Sequence, residues 1–246
     1  MPQNIYDDPD FFEGYSQFRR SREGLAGAPE WPALRSMLPL LKGLCVLDLG
    51  CGFGWFCRWA REMGAERVLG VDLSENMLAR ARAQTQDPGV TYYLADIENL
   101  ELPNICFDLV YSSLTLHYIE DFGAVCATIR SLLAPSGHLV FSVEHPIFTA
   151  PRHPGWQTQD DGSKVWPIND YLLEGRRVTD WITPGVVKYH RTVASYVNSL
   201  LGQGFRLVRL EEWGPNREQI AEHPEWDDEV HRPPFLLLAA DRNPAS

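Results

Sequence analysis

No stretch of the sequence approaches the ~20 consecutive apolar residues that a membrane-spanning helix needs, and the N-terminal MPQNIYDDPDFF lacks the shape of a signal peptide. The five cysteines (Cys45, Cys51, Cys57, Cys106 and Cys126) include no CxxC pair. Neither a zinc ribbon nor a disulfide framework is expected, and a reducing cytoplasm is the natural setting. Positive charge is also short: 22 Lys and Arg face 33 Asp and Glu, a formal net charge of -11. That balance argues against a broad nucleic-acid-binding face, with Arg19, Arg20 and Arg22 as a local basic exception. The seven histidines form no HxxxH motif or His/Cys cluster, so no metal is expected. What remains is an ordinary globular composition in 246 residues, enough for one α/β domain with an insertion or for two small domains.

From Leu44 to Glu144, β-rich runs alternate with helical ones. Leu44 to Asp48, Arg67 to Asp72 and Val90 to Asp96 read as strands, each ending in an acid. Phe107 to Ser112 and His138 to Glu144 read as two more. Between them, Trp55, Phe56, Trp59, Ala60 and Met63 form one helical stripe, and Ser74 is a plausible cap for a helix facing inward through Met77, Leu78 and Ala81. A further helix spans about Phe122 to Ala134. Apolar strands joined this way predict a parallel sheet covered by helices, with every strand C-terminus along one edge, where ligands of open α/β sheets bind. The rhythm breaks between Pro146 and Tyr189, a segment rich in Pro, Gly, Asp and Trp with Asp161-Gly162 as a hairpin turn. It reads as an insertion or lid over that edge. A helix through Tyr196 and Leu200, then strands at Phe205 to Trp213 and Pro234 to Asp241, close the chain.

The first strand runs into Gly50-Cys51-Gly52-Phe53-Gly54. A dinucleotide fold wants GxGxxG, but here Trp55 or Cys57 stands at the third glycine position; a P-loop wants GK[ST], and no lysine occurs between Lys42 and Lys164. The acids suggest a ligand without phosphate. Asp72 suits two ribose hydroxyls, Asp96 an exocyclic adenine amine, and Asp48 an ammonium or sulfonium group.

DLGCGFG resembles the first motif of class I S-adenosylmethionine-dependent methyltransferases of the small-molecule type. VLGVDLSENML resembles their second, YLADIENL their third, and FDLVYSSLTLHYI and LLAPSGHLVFS their fourth and fifth. The closing YHRTVASYVNSLLGQGFRLVRLEEW and PPFLLLAADR are similar to the family's last helix and strands. The resemblance implies an α/β, Rossmann-like three-layer sandwich. Its seven-stranded sheet is mostly parallel, with the last strand antiparallel and inserted beside the sixth, plus an insertion after the fifth. It implies S-adenosyl-L-methionine as cofactor, with Gly50, Gly52 and Gly54 along the methionine and ribose, Asp72 on the ribose, Leu73 and Met77 on the adenine, and Asp96 with the Ile97 N–H at the adenine edge. Ser112 would lie under the methionine, and Tyr15 with Arg19 or Arg20 would clamp its carboxylate from an N-terminal helix; the alternative for that helix is packing alone.

On this reading the chain is one domain: N-terminal cap helices over 1–43, cofactor-binding core over 44–145, insertion over 146–190, closing helix and strands over 191–246. His117 is a candidate base near the transferred methyl, against the alternative of a polar residue starting a helix. Glu144 and His145 end the fifth strand, where they either orient the acceptor or cap the turn at Pro146. His190, Arg191 and Trp213 are weaker candidates of the same kind. The insertion's tryptophans are open to three readings: a substrate pocket, a homodimer contact or packing beneath a loop. The function expected is methyl transfer to a small-molecule acceptor, with no nucleic acid as partner. The rivals are a nicotinamide-dependent oxidoreductase and a non-catalytic binding module.

Overall fold

The central apolar runs are strands buried on both faces, which is why they read as unbroken hydrophobic stretches. The computed structural model describes residues 3–102 and 106–243. Short helices α1 (Pro9–Ser16), α2 (Arg19–Arg22) and α3 (Trp31–Arg35) lead into β1 (Cys45–Leu49), α4 (Trp55–Glu62), β2 (Arg67–Asp72), α5 (Glu75–Gln84), β3 (Val90–Leu94), β4 (Phe107–Ser113), α6 (Phe122–Leu132) and β5 (Leu133–Glu144). These five strands pair in parallel. The insertion adds α7 (Pro146–Thr149) and two hairpins, β6 (Gln157–Thr158) with β7 (Lys164–Val165) and β8 (Gly175–Trp181) with β9 (Thr183–His190). Then follow α8 (Val193–Gly202), β10 (Phe205–Trp213), α9 (Arg217–Glu222) and β11 (Phe235–Arg242). The main sheet has seven strands in the order β3-β2-β1-β4-β5-β11-β10, and β11 runs antiparallel to both neighbours.

Side-chain alternation divides the core into two layers. Val46 of β1 and Leu109 of β4 pack with Phe56, Ala60, Leu78 and Trp31 on one face. Leu47, Leu49 and Val110 pack with Ile129, Tyr196 and Leu200 on the other. The stripe expected on α4 is rotated slightly: Phe56, Cys57 and Ala60 are its buried residues, and Met63 is exposed. Ser74 does cap α5, accepting the Met77 N–H at 3.1 Å. Asp121 and Thr192 cap α6 and α8 in the same way. Among the described residues no helix is long and apolar enough to cross a membrane.

The insertion is built rather than structureless. Its first hairpin turns at Asp161-Gly162, with Gly162 at φ +82 and the Gln159 N–H donating to the Ser163 carbonyl. Phe148, Trp156 and Trp166 surround the buried Arg232 guanidinium, whose centre lies 4.0 Å from the Trp166 ring, and this cluster ties the insertion to the segment before β11. An ion pair with Glu229 at 3.0 Å, together with cation–π contacts on three half-buried rings, accompanies a charged residue at this depth. These tryptophans therefore pack beneath a loop. Trp181, at the tip of the second hairpin, faces the open sheet edge instead.

Candidate active site

The C-terminal ends of β1, β2, β4 and β5 open into a cavity of about 1110 Å³, roofed by the N-terminal segment and the β8–β9 hairpin. Gly50 and Gly52 form its floor in left-handed conformations, φ +74 and +51. A Cβ on Gly50 would lie 2.1 Å from Thr115 Oγ1, whereas one on Gly52 would enter open space. At Gly52 the missing side chain thus leaves a cradle for a ligand to touch backbone.

Asp72 fixes that cradle. Its Oδ2 accepts the Gly52 N–H at 2.8 Å and its Oδ1 the Ser74 N–H at 2.9 Å, leaving further lone pairs on the cavity side. Burial pushes its carboxyl above the ordinary range, and the backbone N–H donors oppose that shift. Leu73, Met77 and Ile97 supply apolar wall. Asp96 both lines the cavity and caps the turn Ile97–Asn99 by accepting the Glu98 N–H at 3.0 Å. Tyr15 and Arg20 close the opposite side; Glu30, itself 1% exposed, holds Arg20 Nη2 at 3.0 Å. The residues present fit an adenosine with a charged amino-acid tail: a carboxylate at the end of β2, an apolar slot beside it and an arginine across the cavity.

Three residues expected here lie elsewhere. Asp48 shares the face of β1 that carries Val46, so its side chain turns under α4, is 2% exposed, and accepts the Cys57 thiol at 3.2 Å. Ser112 points to the other layer and donates to the Leu49 carbonyl at 2.8 Å. Gly54, at φ +70, starts α4 beside the Tyr92 hydroxyl. Burial drives the Asp48 carboxyl up to about 7, aided by the Asp72 charge and opposed by the Cys57 hydrogen bond. A folded-state value raised above the unfolded one makes ionised Asp48 destabilising as pH climbs from about 4 through 7. Asp48→Asn is expected to raise Tm at pH 8, by a margin that shrinks below about pH 7, and to change S-adenosylhomocysteine affinity less than about threefold. Thermal melts at several pH values with a calorimetric titration check this.

The acceptor-side candidates also separate. His117 and Glu144 line the cavity. His145 does not: Nδ1 caps α7 by accepting the Ile147 N–H, and Nε2 meets Glu212 Oε1 at 2.9 Å, so it ties β5 to β10. His190 is fully buried between Thr149 and the Tyr171 carbonyl. Arg191 donates to the carbonyls of Ile119 and Glu120, and Trp213 stacks on Phe235. All three serve packing.

Sequence reasoning missed several groups around the same cavity. Lys188 of β9, 3% exposed, donates to Glu144 Oε1 at 2.6 Å and lies 4.7 Å from the Trp181 ring. Tyr6 meets the Tyr118 hydroxyl at 3.3 Å. Asp7 clasps the start of α5, accepting the Asn76 N–H at 3.1 Å and the Ser74 hydroxyl. The hydrogen bonds among these contacts pair residues 44 or more apart with no shared motif; only the clustering of aromatics near the N-terminus hinted at them.

Residues 47–141 match the family model of a methyltransferase domain. A Haemophilus influenzae protein is 38% identical over 249 residues, covering 96% of both chains. Malonyl-[acyl-carrier protein] O-methyltransferase of Pectobacterium atrosepticum is 34% identical over 59% of this chain and 61% of its own length. The crystal structure of an S-adenosylmethionine dependent methyltransferase from Mesorhizobium loti is 56% identical and superimposes with a TM-score of 0.86, covering 89% of this chain and 100% of that one. With a near full-length relative of this similarity, and a cavity that suits the same nucleoside, the chain belongs to the S-adenosylmethionine-dependent methyltransferases and uses S-adenosylmethionine as its cofactor.

Proposed function

We propose that the acceptor is a small organic molecule, free or carried as a short acyl group, and that it sits where the cavity continues past the glycine loop. The observation that carries this reading is the stretch of the cavity lined by Tyr118, His117, Glu144, Trp181 and Phe235, which belongs to the same cavity as the floor at Gly50 and Gly52. Closure by the N-terminal clasp and the β8–β9 hairpin suits a ligand small enough to be enclosed, and the acidic surface disfavours nucleic acid. The malonyl carrier-protein methyltransferase offers a precedent for a short acyl acceptor. Within the cavity, Gly50, Gly52, Asp72, Leu73, Met77, Asp96, Ile97, Tyr15 and Arg20 hold the cofactor, while His117 and Glu144 face the acceptor. S-adenosylmethionine supplies an electrophilic methyl group; the protein aligns the nucleophile and excludes water.

The test is incubation with methyl-tritiated S-adenosylmethionine and a fractionated cell extract, after titration has established S-adenosylhomocysteine binding. Label in the low-molecular-weight or acyl-carrier fraction is expected. Label only in nucleic acid or in other proteins would overturn the reading, and binding without transfer to any fraction would make the chain a non-catalytic module.

A further inference from the structure

Methyl transfer to an alcohol or an ammonium group needs a base, whereas transfer to an ionised oxygen does not; a neutral amine needs none either, but its single lone pair would be occupied by any N–H that donates to it. The polar groups around His117 decide between them. His117 Nδ1 accepts the Glu144 backbone N–H at 3.3 Å, so the single proton of the neutral imidazole resides on Nε2. That nitrogen has no protein partner among the described residues and is not sealed from the cavity. It can donate to a ligand but has no lone pair with which to take a proton. Burial drives the ring down to about 4, so it stays neutral at physiological pH; Glu144 opposes that shift, while Lys188 and Arg191 reinforce it.

Glu144, the nearest carboxylate, is neutralised by Lys188 at 2.6 Å. Burial alone would raise its carboxyl, but His117 and Lys188 prevail and hold it below the ordinary range, which makes it a weak base. The phenols of Tyr6 and Tyr118 share a hydrogen bond and are pushed upward by burial, so they keep their protons. Of the other acids that line the cavity, Asp72 and Asp96 stand at the positions proposed for the cofactor, Glu98 accepts two backbone N–H groups, Glu120 the Tyr189 hydroxyl, and Asp121 the Ala124 N–H. Arg176 also lines the wall, while the charge of Arg20 is paired with that of Glu30.

We infer that the acceptor is an oxygen acid that arrives ionised, a carboxylic acid in the first instance, oriented by the His117 Nε2–H and methylated to its ester. The inference rests on the small-acceptor reading above. A carboxylate lone pair forms the bond to the methyl carbon as the carbon–sulfur bond breaks, and that bond's electron pair stays on sulfur. Negative acceptor and positive sulfonium give two neutral centres, and no proton is released. His117 is thus a binding donor, and Lys188 is a positioning residue that masks the Glu144 charge from an anionic acceptor.

Two measurements test this. With ¹⁵N-histidine labelling, the His117 resonances, identified by their loss in His117→Gln, are expected to report the Nε2–H tautomer and no titration between about pH 6 and 9. With tritiated S-adenosylmethionine and the small-molecule extract, alkali is expected to release most of the label as volatile methanol, the signature of a methyl ester. His117→Gln, which restores a donor near Nε2, should keep at least a tenth of kcat/KM, while His117→Phe should lose about 100-fold, chiefly through KM. Alkali-stable label, a His117 that titrates near pH 7, or a Gln variant as inactive as Phe would overturn the inference. Absence of label from both the small-molecule and the acyl-carrier fractions would instead overturn the small-acceptor reading.

Discussion

Asp72→Ala is expected to weaken S-adenosylhomocysteine binding at least 100-fold while the protein remains folded. The carboxylate ends β2 half-buried, with one oxygen on the Gly52 N–H and the other on the Ser74 N–H. Alanine removes the group proposed to accept ribose hydroxyls and also frees the glycine cradle from its anchor. Hydrogen bonds to a charged group contribute about 1.5–3 kcal/mol each, so losing two costs roughly 3–6 kcal/mol, and each 1.4 kcal/mol is tenfold in affinity. Asp72→Asn keeps one accepting oxygen and should fall between wild type and alanine. Because burial holds the carboxyl above its ordinary range, cofactor affinity should also decline on acidification sooner than a solvent-exposed aspartate would dictate. Isothermal titration of the three proteins from pH 8 to pH 5 checks both statements. Unchanged affinity in Asp72→Ala would mean that the adenosine lies elsewhere.

The half of this cavity proposed to hold the cofactor was readable because its determinants are local. A strand end, a glycine turn and a helix cap succeed one another within a few residues, and Gly50, Gly52, Asp72, Met77 and Asp96 occupy the places that succession dictates. The errors at Asp48 and Ser112 share one cause. A strand-end residue near a ligand in sequence faces it only if the pleat turns it outward, and both side chains fall on faces covered by helices. The β8–β9 hairpin escaped notice for a related reason. Its inward positions on β9 are Val186, Lys188 and His190, so the buried face is as polar as the exposed one and the period-two signal disappears. The wall proposed to face the acceptor was therefore the least legible part: it depends on a lysine, a tryptophan and a tyrosine brought together by tertiary contacts. His145 shows the converse, a promising histidine beside the site that a helix cap and Glu212 fully employ.

Lys188→Met should lower Tm by about 10 °C at pH 8. Lys188 is buried and its Glu144 partner, at 2.6 Å, largely so; removing one partner of such a pair typically costs about 3–5 kcal/mol because the other is left charged and poorly solvated. In a chain of this size 1 kcal/mol shifts Tm by about 2–4 °C. The pH dependence identifies the cause. In the wild type the Glu144 carboxyl lies below its ordinary value, so its contribution is present above that value and is lost as pH falls through the folded-state one. Without Lys188, burial dominates and the carboxyl rises, so the variant is penalised at neutral pH and relieved as protonation neutralises the group. The Tm gap between wild type and Lys188→Met should therefore narrow steadily from pH 8 to pH 5. Adding Glu144→Gln should recover most of the loss at pH 8, since the uncompensated charge is gone, and the double-mutant cycle then isolates the coupling of the pair. A gap under about 2 °C that does not vary with pH would show that the pair is not closed in solution. In that event Glu144 would be free to act as a base, and the identity of the acceptor would have to be reconsidered from that carboxylate outward.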